Sequence, residues 1–152
     1  MAAPLLIQVY NRQRKVGIDM AWVRRFAEMG LAECLQGEVE MGLEGVGEIE
    51  VSLVSDRVIA RVHRRFMKVP GATDVITFEH GEIVVSAETA ARYAREHGGR
   101  VETEVGLYII HGILHLNGYD DLEEPAATRM RERQAEITER VMRSMRGSLS
   151  AD

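Results

Sequence analysis

His111 and His115 stand four residues apart in the run His-Gly-Ile-Leu-His-Leu-Asn-Gly-Tyr-Asp-Asp, residues 111–121. Residues four apart lie one above the other on a helix, so both imidazoles can reach a single point. Gly118 has the conformational freedom to end that helix and let the chain fold back with Asp121 as a third ligand. Two imidazoles and a carboxylate make a three-ligand site for a divalent ion, foremost zinc at one ion per chain, with a fourth position left for water. An open site of this kind is usually catalytic. The expected reactive group is metal-bound water, with no side-chain base assigned. Asp121 has the i+10 spacing of a third ligand; its neighbour Asp120 is the alternative ligand, or equally a partner that orients an imidazole.

The histidines need a helix to hold them, and residues 102–117 supply one. On its wheel Leu107, Ile110 and Leu114 fill one side, and Val105, Ile109, Ile113 and Leu116 fill much of the rest. A helix apolar nearly all round is buried. Its one polar strip is Glu104, Tyr108, His111 and His115. A single histidine there would read as a satisfied core residue, but a buried pair costs free energy unless something binds it. Glu104 lies two turns from His111, about 10 Å along the axis, and is expected to cap the helix start. The ligand spacing matches the zinc motif of metzincin proteases. Gly112, however, stands where their general-base glutamate follows the first histidine, which weighs against a peptidase.

The remaining elements frame that helix. Strands are predicted at Leu5 to Tyr10, Glu48 to Val54, Thr73 to Phe78 and Gly81 to Ser86, the last two as an antiparallel hairpin. Helices are predicted from Asp19 to about Gln36, from Ser55 or Asp56 to about Val69, from Ala87 to His97, and from Glu123 to about Arg146. Gly37 to Gly47 reads as a loop. The expected fold is α+β: one mixed four-stranded sheet packed with about five helices, the metal site on a buried helix and the turn after it. Residues 1–147 read as a single metal-dependent hydrolase domain and 148–152 as a disordered tail.

Bulk properties agree with a globular protein. At 152 residues, 45% of them hydrophobic and 28% charged, the chain can bury a core without staples. The single Cys34 falls on an apolar helical stripe, so it reads as a core residue and suits a reducing compartment. No apolar run approaches a membrane span and the first residues read as a strand, so the expected location is cytoplasmic, with no membrane partner. A net charge of −5 argues against indiscriminate nucleic-acid binding. Any RNA surface must therefore be local.

Residues 111–120 resemble the hallmark of the YbeY family of bacterial rRNA-maturation endoribonucleases, His-Gly-x-Leu-His-Leu-x-Gly-Tyr-Asp-His, at every fixed position. Thr73-Asp74-Val75-Ile76-Thr77-Phe78 is similar to the family's Thr-Asp-Val-Leu-Ser-Phe, and Gly81-Glu82-Ile83 follows as in the family. Two positions depart from the pattern. Asp121 replaces the third histidine, and a carboxylate remains a competent zinc ligand. Met67 falls where the family's arginine stands, and methionine has no charged fork with which to hold a phosphate.

A local basic surface is present. Arg57, Arg61, Arg64, Arg65 and Lys68 fall within about 100° of one another on their helix, with no acid between them on that face. The stripe reads equally as a solvated face and as a phosphate track. Arg61, Arg64, Arg65 and Lys68 are the expected substrate-binding residues. Together with the resemblance, the site implies a zinc-dependent endoribonuclease specific for single-stranded RNA, acting in rRNA maturation and contacting the small ribosomal subunit. The alternatives are a non-catalytic rRNA-binding assembly factor with a structural metal, and a metal-dependent hydrolase of another substrate such as a peptide.

Overall fold

The structure, a computed structural model, describes residues 5–36 and 46–150, the last three of these as backbone only. Most of the predicted loop at 37–47, and residues 151 and 152 of the predicted tail, lie outside the described residues. The strands are β1 (Leu6–Asn11), β2 (Glu48–Val54), β3 (Val75–Phe78) and β4 (Glu82–Ser86). The helices are α1 (Met20–Cys34), α2 (Asp56–Met67), α3 (Ala87–His97), α4 (Val101–Leu116) and α5 (Ala126–Ser150). The last helix thus continues past its expected end near Arg146. No described helix is long and apolar enough to cross a membrane.

The strands form one mixed sheet in the order β1-β2-β4-β3. β1 and β4 each pair parallel with β2, and β3 pairs antiparallel with β4 as the hairpin reading requires. Alternation along the strands sends Ile7, Val9, Ile49, Val51, Leu53, Ile83 and Val85 to one face. There they join Phe26 of α1, Ile109, Ile110 and Ile113 of α4, and Ile137 and Val141 of α5 in the main core. The opposite face is covered by α2. Its core is smaller: Val54, Ile76 and Val84 with Ile59. β3 is therefore an edge strand with α4 on one side and α2 on the other.

Local chemistry sets the element ends. The Asp19 carboxylate accepts from the Trp22 amide and Ser55 Oγ from the Val58 amide, capping α1 and α2. α2 stops at Met67 rather than Val69, because Lys68 turns left-handed (φ 56°) ahead of Pro70. β3 starts at Val75 rather than Thr73, since the Val75 amide is taken by the side chain of Asp74. Cys34 is buried, and burial pushes its thiol up to about 12. It is an inert core residue.

Candidate metal centre

α4 lies across β3 and β4 and presents its polar strip toward the sheet edge. Gly112 lets it approach: a Cβ there would sit 2.8 Å from Cδ1 and 2.9 Å from Cγ2 of Ile83. With that close approach on one side, His111 and His115 project into an open cleft of about 770 Å³. The helix ends in a Schellman turn, with the Gly118 amide donating to the His115 carbonyl and the Tyr119 amide to the Leu114 carbonyl. Gly118, at φ 97°, makes the reversal without a Cβ penalty. Asp121 is thereby carried back over the helix end.

The three donors converge. Nε2 of His111 and Nε2 of His115 are 3.1 Å apart, and Asp121 Oδ2 lies 3.6 and 3.4 Å from them. A tetrahedral ion with bonds of about 2.0–2.1 Å spaces its donors roughly 3.3–3.4 Å apart. Ring orientation is fixed from behind. His111 Nδ1 donates to Gln134 Oε1 at 2.7 Å, and His115 Nδ1 donates to the Tyr119 carbonyl at 3.1 Å. With each Nδ1 carrying the proton, both Nε2 lone pairs point at one another and at a carboxylate. That arrangement repels unless a cation or a shared proton lies between them. His111, His115 and Asp121 can together hold a metal ion.

Two expected roles are corrected. Asp120 does not orient an imidazole: its Oδ1 accepts from the Leu122 amide, bracing the exposed turn, while Gln134 and the Tyr119 carbonyl hold the rings. Glu104 does not cap α4, whose N-cap Arg100 makes no side-chain capping bond. Its side chain follows the inward strip to bond with Tyr108 one turn on, and one of its oxygens is buried without a partner. Burial raises its carboxyl above the ordinary range despite the Tyr108 bond and the nearby His97. Burial likewise raises the Tyr108 hydroxyl, with Glu104 and Asp74 adding to the effect.

From α2 the cleft takes His63 and Met67, and from the segment leading through β3 it takes Thr73, Asp74, Val75, Ile76, Thr77 and Glu79. Arg61, Arg64, Arg65 and Lys68 are exposed on α2 and do not line it. At 100° per residue Arg64 flanks the side of α2 that His63 and Met67 present to the cleft, whereas Arg61 and Arg65 face away from it and Lys68 is the left-handed residue that caps the helix. The sequence patterns above do not single out His63 or Gln134. His63 shares a helix face with Met67, a signal available on the wheel once that face is known to meet the site. Gln134 carries no local signal, since 23 residues separate it from His111.

An α+β protein whose edge cleft holds a His-x3-His-x5-Asp donor set on a buried helix and its terminal turn defines the class. The family model described as "Endoribonuclease YbeY" matches residues 8–142, and the chain belongs to that family. It is 39% identical over 105 residues to the endoribonuclease YbeY of Myxococcus xanthus, covering 60% of this chain but 35% of that relative, so it spans about a third of that protein's length. With the one from Alkaliphilus metalliredigens it shares 30% identity over 146 residues, covering 86% of this chain and 92% of the relative. The solution structure of TM1509 from Thermotoga maritima is similar at a TM-score of 0.60 and 27% identity, covering 94% of this chain and 96% of that one.

Proposed function

We propose that this protein is a zinc-dependent endoribonuclease that cuts single-stranded RNA during rRNA maturation. The observation that carries the reading is the convergence of two Nε2 atoms and one carboxylate oxygen, with both Nδ1 atoms already engaged. Two nitrogens and one oxygen suit zinc, and three protein donors leave a coordination position open. Bound there, the ion supplies Lewis-acid polarisation of a phosphoryl oxygen and acidifies water. Gln134 and the Tyr119 carbonyl hold the imidazoles in the ligating tautomer. Arg61, Arg64, Arg65 and Lys68, exposed on and just past α2, would hold the phosphate backbone as it runs outside the cleft. The family's naming as endoribonucleases supports RNA as substrate. Contact with the small ribosomal subunit and a cytoplasmic location complete the proposal.

Met67 favours a second reading, a non-catalytic rRNA-binding assembly factor, because it brings an uncharged thioether to the cleft. One experiment separates the two. Zinc-loaded protein is expected to carry one ion per chain and to cut a labelled single-stranded RNA. The cut should vanish on chelation, return with zinc, and be absent in His115→Ala. Asp121→Ala should lose zinc. Stoichiometric zinc with RNA bound but never cut would establish the assembly factor instead.

A further inference from the structure

We propose that His63 is a catalytic residue of this cleft, the general acid that protonates the leaving oxygen when a phosphodiester is cut. The inference rests on the endoribonuclease reading above. His63 stands one turn before the end of α2 and lines the same cleft as His111, His115 and Asp121. Its Nδ1 lies 3.0 Å from the Gly71 carbonyl oxygen. A carbonyl only accepts, so Nδ1 holds a hydrogen whether the ring is neutral or charged. The exchangeable position is therefore Nε2, which that bond leaves free.

The anchoring carbonyl belongs to a turn that the backbone fixes. Lys68 at φ 56° closes α2, Pro70 follows, and Gly71 sits at φ 92°. This is how a base or acid is held by a third group. The rest of the cleft lining leaves the role open. Asp74, Glu79 and Asp121 are carboxyl groups, Thr73 and Thr77 are hydroxyls, and Met67 is uncharged. His111 and His115 direct their Nε2 atoms at the metal position. Histidine is the side chain that ordinarily exchanges a proton near neutral pH. Among the described lining residues, His63 is the histidine outside the ligand set.

Titratable groups share the cleft with His63 or adjoin it from each side. Arg64 adjoins it on α2. Asp74 and Glu79 come from the β3 segment, and His111, His115 and Asp121 from α4 and its turn. Acting as the acid requires the protonated ring, which also gives an incoming phosphate a positive partner. In the step itself, a water oxygen bonds to phosphorus and the phosphorus–alkoxide bond breaks. The electron pair stays on the leaving oxygen, which takes the proton from Nε2. The proton given up by the attacking water passes to solvent, and solvent reprotonates the ring for the next turnover.

The test compares wild type with His63→Gln on two substrates. On single-stranded RNA, His63→Gln should lower kcat by about 10²–10⁴-fold, with zinc content unchanged, and flatten the alkaline fall of the pH profile. On bis(p-nitrophenyl) phosphate, whose leaving group needs no proton, the same variant should keep most of its rate. In the zinc-loaded wild type, inorganic phosphate should shift the His63 imidazole cross-peak, assigned by its disappearance in the variant. Equal losses on both substrates, or wild-type kcat on RNA in the variant, would overturn the proposal. So would a cross-peak that phosphate leaves unmoved. A wild type that shows the shift but cuts no RNA would overturn the endoribonuclease reading while leaving the His63–phosphate interaction standing.

Discussion

Glu104 sits on the inner strip of α4 with one carboxylate oxygen lacking a partner, and burial lifts its carboxyl above the ordinary range. A raised carboxyl binds its proton more tightly in the folded chain than in the unfolded one. Its stabilising contribution is present in full below the unfolded value, about 4.3, and is lost as pH rises through the folded one. Glu104→Gln should therefore raise the melting temperature at pH 7, with the gain shrinking toward pH 4. Paired thermal melts across that range check it, and a gain independent of pH would refute the cause. Residues whose roles depend on neighbours in sequence were legible here. His111, His115 and Asp121 meet because helical periodicity and one glycine bring them together, and Cys34 is core because its stripe is apolar. His63 and Gln134 were not legible, since their roles depend on which distant elements face them, while Asp120 and Glu104 bond to local groups, the Leu122 amide and Tyr108, in place of the expected ones.

At the scale of elements, the position of the site is set by how closely α4 can lie on β4. Gly112 permits that approach, and Ile83 fills the space a larger residue would need. Gly112→Ala should destabilise the fold by about 1–3 kcal/mol through overpacking and reduce zinc affinity by displacing both imidazoles. Adding Ile83→Val should recover part of both losses if the two residues share that space. Denaturant unfolding and zinc titration of the single and double variants measure this; simple additivity would count against the shared space. Element types and order followed from periodicity and turn residues. Boundaries shifted where side chains competed with backbone pairing, as at Asp74, or where a following proline barred the helix, as at Val69.

At the scale of the whole molecule, an overall charge of −5 coexists with an exposed arginine face on α2. If that face tracks phosphates, replacing Arg61, Arg64 and Arg65 with glutamine should weaken single-stranded RNA binding. The log–log salt slope should then fall by roughly 0.7 for each phosphate that is no longer neutralised. Fluorescence anisotropy over a salt series reads both, and an unchanged slope would return the stripe to a solvated face. The sheet order β1-β2-β4-β3 was beyond sequence reading, because parallel pairing joins strands separated by whole helices and leaves no local mark. One long-range link has a temporal meaning. Gln134, which steadies His111, belongs to α5, and α5 also closes the main core through Ile137 and Val141. During synthesis the ligands emerge before the helix that locks them. A nascent chain halted after Asp121 would carry all three donors yet lack the brace on His111, so the fully ordered centre waits for the last helix to dock.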